Sequence, residues 1–97
     1  MKSKLLRALT TGLLLVVIGL STPGCDDIGA RKEAHFTKGK ELFEAGDDKR
    51  ARLELKNTLQ IDNKYAEAWY LLGRIEERAR EYRKAFANYS RALELDS

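Results

Sequence analysis

Residues 66–97 of this chain read AEAWYLLGRIEERAREYRKAFANYSRALELDS, and residues 32–65 read KEAHFTKGKELFEAGDDKRARLELKNTLQIDNKY. The two stretches align without a gap at an offset of 34 positions. Seven pairs of equivalent positions then hold identical residues: Glu33 and Glu67, Ala34 and Ala68, Gly39 and Gly73, Ala45 and Ala79, Ala51 and Ala85, Leu59 and Leu93, Asp62 and Asp96. A fixed period of this length indicates an array of structural repeats, in which each unit needs a neighbour to bury its apolar face.

Four helices are predicted within the two units. Apolar residues at i, i+3, i+4 and i+7 place them at about 32–45, 49–61, 66–79 and 83–95. The segment Gly46-Asp47-Asp48 is expected to end the first helix and to cap the second. The segment Asp62-Asn63-Lys64 is expected to do the same between the units. Because these connections are short, consecutive helices should pack antiparallel in an all-α fold.

The second unit resembles the tetratricopeptide repeat. Its large and small residues fall at that family's packing positions: Trp69, Leu72, Gly73, Tyr82, Ala85, Tyr89 and Ala92. The resemblance implies that Gly73 and Ala85 let two helices approach closely while the bulky side chains fill the space around them. Glu76 and Arg80 depart from the family pattern, in which Tyr and Gly are common.

The first unit carries the same resemblance more weakly. It keeps Gly39, Ala51, Leu55 and Ile61, but it has His35, Lys38 and Thr58 where the second unit has Trp69, Leu72 and Ala92. The resemblance therefore implies an α-solenoid of two helix-turn-helix units, at residues 32–65 and 66–97. Arrays of this kind usually need three or more units. We therefore expect a longer array or completion by a partner, because the outer face of the last helix is left uncovered. The apolar residues of that helix are Phe86, Tyr89, Ala92, Leu93 and Leu95.

The first 24 residues have a different composition from the repeats. Three basic residues precede an apolar run over residues 8–20, and small residues with Pro23 follow. This order predicts a secretory signal peptide at residues 1–24. The run is shorter than the roughly 20 apolar residues of a membrane-spanning helix. An uncleaved membrane anchor is the alternative.

Cys25 is the only cysteine, and it follows directly after this leader. The segment Ser21-Thr22-Pro23-Gly24-Cys25 resembles the lipobox of bacterial lipoproteins, although Thr22 stands where Leu is usual. The resemblance implies a lipid on Cys25 and a tether over residues 25–31; an exported protein with a free thiol or a buried Cys25 is the alternative. Asp26 and Asp27 follow, and an Asp directly after the lipidated Cys resembles the inner-membrane retention signal of enteric bacteria; two solvated acids at a flexible tether are the alternative. Other lineages read these positions differently, so the choice between inner and outer membrane stays open.

The positive net charge belongs to the leader. The chain has 18 Lys and Arg against 15 Asp and Glu, and three of the basic residues, with no acid, lie before position 25. The remainder is neutral, so the sequence pI of about 9.1 does not indicate a nucleic-acid partner.

The chain shows no catalytic pattern. His35 is the only histidine and occupies a packing position, while the carboxylates of residues 76–84 alternate with Lys and Arg as on a solvated helix face. Glycines are scattered and form no phosphate-binding loop. We predict no enzyme activity, no metal and no cofactor apart from the covalent lipid on Cys25.

The tetratricopeptide resemblance implies that the first helix of each unit lines a concave groove. The corresponding positions are Glu33, Phe36, Lys40, Phe43, Glu44, Glu67, Tyr70, Arg74, Glu77 and Arg78. Aromatic side chains flanked by charges of both signs suit an extended peptide or a partner helix. Alternatively, Phe36 and Phe43 complete the core. Phe36 and Leu71 stand at positions where cochaperone repeats carry their carboxylate clamp, which disfavours a cochaperone role.

The sequence thus predicts a lipid-anchored, periplasm-facing scaffold of the bacterial envelope that mediates protein–protein interactions in assembly or secretion. Residues 53–60 and 66–68 resemble repeat lipoproteins of exopolysaccharide export and PEP-CTERM protein sorting. Lipoproteins that assist type IV pilus secretin or outer-membrane assembly have a similar architecture. The alternatives are an accessory or regulatory subunit of a periplasmic enzyme complex, and a truncated gene product without an independent role.

Overall fold

The computed structural model describes residues 25–96, with side chains from Asp27 onward. This part of the chain forms four helices, α1 (Cys25–Glu44), α2 (Asp48–Ile61), α3 (Ala66–Arg78) and α4 (Tyr82–Asp96), and no strand. The all-α prediction is confirmed, and α2, α3 and α4 begin and end within one residue of the predicted bounds. The predicted signal peptide at residues 1–24 and the side chain of Cys25 lie outside the described part.

Helix α1 begins seven residues earlier than predicted. We expected residues 25–31 to be a linker, but they form the first two turns of α1. The side chains of residues 27–31 are exposed, so this extension is held by its own backbone hydrogen bonds rather than by packing. Extending an existing helix is much easier than nucleating one, which explains why a stretch without apolar periodicity joins α1. Among the helices described, none is both long enough and apolar enough to cross a membrane.

The two helix-turn-helix units end their first helices in the same way. Gly46 after α1 has φ 85°, and Arg80 after α3, 34 positions later, has φ 61°. Paired backbone hydrogen bonds close each turn: Gly46 N to Phe43 O at 3.1 Å and Asp47 N to Leu42 O at 2.9 Å, then Arg80 N to Glu77 O at 3.0 Å and Glu81 N to Glu76 O at 2.9 Å. Each is a Schellman motif, which needs a left-handed residue after the helix.

The helix starts differ between the turns. Asp47 caps α2, because its Oδ1 accepts a hydrogen bond from the Arg50 backbone N at 3.3 Å. The prediction for Asp62 is wrong: its Oδ1 accepts from Lys64 N at 3.0 Å, which closes an Asx turn. Helix α3 begins after Tyr65 without a side-chain cap.

A glycine sets the helix crossing in each unit. A Cβ added at Gly39 would lie 3.0 Å from the Leu55 side chain, and one added at Gly73 would lie 2.6 Å from the Tyr89 ring. Gly39 and Gly73 are 34 positions apart in the sequence, and so are their partners Leu55 and Tyr89. The two units therefore share one packing geometry as well as one sequence pattern.

The core lies between the units, where α3 packs against both α1 and α2. Its buried side chains are Phe36, Leu42, Ala51, Leu55, Ala68, Leu71, Leu72 and Ile75. Thr58 is also fully buried, and its hydroxyl donates to the Glu54 carbonyl at 3.1 Å.

Helix α4 packs against α3 alone among the described helices. Its outer face exposes Phe86 and Leu93 as expected, whereas α3 covers Ala92 and part of Tyr89. Tyr82 was predicted to pack between the helices, but it is 64% exposed. It is the first residue of α4 and follows the turn that leaves the end of α3.

Candidate functional site

The predicted groove residues lie on α1 and α3. Eight of the ten are exposed: Glu33, Lys40, Glu44, Glu67, Tyr70, Arg74, Glu77 and Arg78. Phe43 is half-buried and Phe36 is buried. The surface is therefore mainly charged, with Tyr70 and the edge of Phe43 as its aromatic parts.

Phe36 belongs to the core and does not face the groove. It is only 7% exposed, and the centroid of its ring lies 4.8 Å from that of Tyr65. Of the two roles considered for Phe36, completing the core is the one that the structure supports. A partner cannot reach this ring without opening the contact with Tyr65.

Four predicted site residues meet in an arginine–aromatic cluster, formed by Phe43, Tyr70, Arg74 and Arg78. The Arg78 guanidinium lies 3.8 Å from the centroid of the Phe43 ring, and that of Arg74 lies 5.3 Å from the same centroid. Arg74 also lies 5.9 Å from the Tyr70 ring. Cation–π attraction at these distances joins α1 to α3 and orients both arginines.

Arg78 is held further by polar contacts with the end of α1 and the start of α2. Its Nη2 donates to the Phe43 carbonyl at 3.1 Å and lies 2.8 Å from Asp48 Oδ1. The contact with Asp48 is an ion pair without hydrogen-bond alignment. Arg78 thus connects the units, and Arg74 remains the freer of the two cations.

Two tyrosine hydroxyls hold carboxylates of the predicted groove. Tyr65 Oη donates to Glu33 Oε2 at 3.0 Å, and Tyr89 Oη donates to Glu77 Oε1 at 2.6 Å. Burial, followed by the hydrogen bond to the carboxylate, raises the pKa of each tyrosine to about 12. These hydrogen bonds keep the carboxylates of Glu33 and Glu77 in place.

An open cleft of about 690 Å³ adjoins this surface. It extends from Lys32 over Tyr65 and along Glu67 and Tyr70 to helix α4. The Tyr70 and Tyr89 rings form one wall, with their centroids 5.7 Å apart. Glu67 and Tyr70 are thus brought together, whereas Lys40 and Glu44 lie in neither this cleft nor the arginine–aromatic cluster.

Sequence reasoning missed the part that Tyr65 plays. Tyr65 aligns with Arg31 at the repeat offset, so the period does not single it out. Lys32 reaches over the same ring at 5.6 Å and pairs with Asp62 at 3.3 Å. The hydrogen bond from Lys64 N, with that from Lys32, lowers the pKa of Asp62.

Tyr89 was recognised as a packing residue, but its hydroxyl contact with Glu77 was not foreseen.

The comparison with protein families agrees with this geometry. Residues 66–97 match the family model described as Tetratricopeptide repeat. A tetratricopeptide repeat is found here. The match covers α3 and α4, and α1 and α2 have the same turn and the same glycine contact 34 positions earlier. No curated protein matches the chain. The fold is an all-α tetratricopeptide helical repeat.

Tetratricopeptide repeats generally bind protein partners and are typically not catalytic. The chain is accordingly assigned as a protein–protein interaction scaffold. His35 has a structural contact, because its Nδ1 lies 2.8 Å from Glu54 Oε2 and joins α1 to α2. Within residues 25–96, no group of His, Cys, Asp and Glu side chains could hold a metal ion.

Proposed function

We propose that this protein is a membrane-anchored, periplasm-facing scaffold that holds a protein partner during envelope assembly or secretion. The tetratricopeptide repeat at residues 66–97 is the observation that carries the scaffold role. The anchor and the compartment rest on the leader sequence and on the position of Cys25. The resemblance of residues 53–60 and 66–68 favours a partner in exopolysaccharide export or PEP-CTERM sorting.

The partner binds along the arginine–aromatic cluster and the adjoining cleft of about 690 Å³. The Arg74 guanidinium lies 5.3 Å from the centroid of the Phe43 ring and 5.9 Å from that of the Tyr70 ring, and its N–H groups are available to a carboxylate or carbonyl. Tyr70 is 47% exposed and supplies a rigid aromatic contact. Arg and Tyr are the residue types that most often dominate binding energy at protein interfaces.

The anchor places the repeats close to the membrane. Because α1 begins at Cys25, a lipid on that residue is joined directly to a helix. About two helical turns, or roughly 10 Å, then separate the lipid from Lys32. Such a short connection favours a partner that is itself in or near the membrane.

The anchor is tested by the intact mass and membrane partitioning of the protein expressed with its leader, beside Cys25→Ala. We expect cleavage before Cys25 and addition of acyl chains, and both should be lost in the variant. An unprocessed or unlipidated product would remove the lipoprotein assignment and leave the scaffold role standing.

The binding surface is tested by site-specific photocrosslinking in the bacterial envelope, with the probe at Tyr70. A matched probe at Lys38, which is exposed on α1 and is not a groove position, serves as the control. We expect a discrete crosslinked protein at Tyr70 that disappears with Arg74→Ala. Equal crosslinking at Lys38 would contradict the groove assignment.

A further inference from the structure

A second cleft lies between α2 and α4, away from the groove. These two helices do not pack against each other, and each packs against α3. The open space between them is about 810 Å³, and its floor is formed by Trp69, Leu72 and Glu76 of α3. At 3.6 residues per turn, this floor lies on nearly the opposite side of α3 from Tyr70 and Arg74.

The floor of this α2–α4 cleft offers a fixed apolar surface. Leu72 is 5% exposed, and Trp69 is half-buried beside it. The Trp69 Nε1 donates to the Asn63 carbonyl at 2.9 Å, which fixes the indole ring. Leu59 on the α2 side and Ala87 on the α4 side continue the apolar lining. A ring that is already held loses little freedom when a ligand covers it.

The charges of the cleft divide into a paired and an unpaired set. Arg52 Nε lies 2.8 Å from Glu76 Oε1, and Glu76 is only 6% exposed, so this pair is internally balanced. Lys56 on α2 and Lys84 on α4 are exposed and stand on opposite walls. Glu81, in the turn before α4, is the other carboxylate of the lining. Away from that turn, the unpaired charge is positive.

We propose that the α2–α4 cleft binds a partner segment that presents one bulky apolar side chain flanked by carboxylates. The apolar side chain covers Trp69 and Leu72, and the carboxylates face Lys56 and Lys84. Pockets that enclose small ligands have volumes of roughly 300–1,000 Å³, so this cleft is large enough for one or two side chains of a peptide. With the groove on the other side of α3, the protein can hold two partners at once.

The protein itself carries a reporter for this site, since Trp69 is its only tryptophan. The experiment selects binders to the full protein from a library of random peptides displayed on phage, and then titrates the consensus peptide while Trp69 emission is recorded. We expect the selected sequences to share an apolar residue flanked by Asp or Glu, and the consensus peptide to shift Trp69 emission saturably.

Charge reversal locates the binding. Lys56→Glu and Lys84→Glu should each weaken peptide binding by about tenfold. The same change at Lys38, which is exposed on α1 outside this cleft and is not a groove position, should leave binding unchanged. Circular dichroism checks that each variant keeps its helix content, and Lys56→Gln and Lys84→Gln replace any variant that does not.

Three outcomes would overturn the proposal: no enriched sequence, enriched sequences that are basic or uncharged, or a consensus peptide whose affinity is insensitive to Lys56 and Lys84. Weakening by Arg74→Glu to the same degree would place the peptide in the groove instead. Crosslinking at Tyr70 is scored separately, so failure of this site and failure of the groove are distinguishable.

Discussion

Two glycines, Gly39 and Gly73, determine how closely the helices approach in each unit. We predict that Gly73→Ala destabilises the protein, because the new Cβ would lie 2.6 Å from the Tyr89 ring and overpacking of this kind costs about 1–3 kcal/mol. Because alanine also brings a gain of about 1 kcal/mol to a helix, the net free energy of unfolding should fall by up to about 2 kcal/mol. The measurement is urea unfolding followed by circular dichroism.

Gly29→Ala is the matched control for Gly73→Ala, because Gly29 is also helical and nothing lies within 4 Å of its added Cβ. It should raise stability by up to about 1 kcal/mol. A Gly73→Ala protein as stable as the wild type would show that Tyr89 can move aside, and the close packing would then not determine stability.

Arg80 occupies a backbone conformation that favours glycine. Its φ is 61° in the turn where the equivalent residue of the first unit is Gly46. We predict that Arg80→Gly stabilises the protein by about 0.5–1 kcal/mol, since relief of strain exceeds the entropy that glycine adds to the unfolded chain. The reverse exchange, Gly46→Arg, should cost about 1–2 kcal/mol. Opposite signs in thermal unfolding support this explanation, and equal signs would reject it.

At the scale of helices, hydroxyl–carboxylate contacts make the packing sensitive to alkali. Tyr65 and Tyr89 have folded pKa values of about 12 against an ordinary value of 10.0. Between pH 10 and pH 12 the unfolded chain releases these protons while the folded chain keeps them. We predict that their contribution to stability is complete below pH 10 and is lost as the pH rises to about 12.

Urea midpoints measured across this range test the prediction. The double variant Tyr65→Phe with Tyr89→Phe should show a shallower alkaline loss than the wild type. Tyr82→Phe removes an exposed hydroxyl of α4 and should leave the loss unchanged. An identical pH profile in the double variant would mean that other groups cause the alkaline unfolding.

The helices themselves were largely predictable from sequence, because both units repeat their apolar and turn residues at one offset. Features that the period does not encode were missed. The helical start at Cys25 depends on propagation along α1, and the burial of Phe36 depends on Tyr65. The contacts of Arg78 with Phe43 and Asp48 join residues of three different helices. Such contacts follow from the angle between the units, which no local pattern specifies.

At the scale of the whole molecule, α4 presents a line of exposed apolar side chains. Tyr82, Phe86 and Leu93 are 64%, 74% and 72% exposed. Because exposed apolar patches promote association, we predict that Phe86→Glu with Leu93→Glu lowers self-association and changes stability by less than about 0.5 kcal/mol. Sedimentation over a range of protein concentrations measures the effect.

The control for α4 is Leu53→Glu, which alters an isolated apolar side chain that is 59% exposed on α2. It should leave the association unchanged. If the double variant on α4 associates as strongly as the wild type, then another surface mediates the contact between copies.

The continuous helix from Cys25 to Glu44 has a consequence for the direction in which the binding surfaces point. Each residue of an α-helix adds about 1.5 Å of height and about 100° of rotation. Inserting one residue between Asp27 and Arg31 would therefore turn the whole array by more than a quarter circle relative to Cys25. Seven inserted residues would restore nearly the same azimuth at a greater height. In a protein anchored through Cys25, the number of residues at the start of α1 would thus set the direction in which the binding surfaces point.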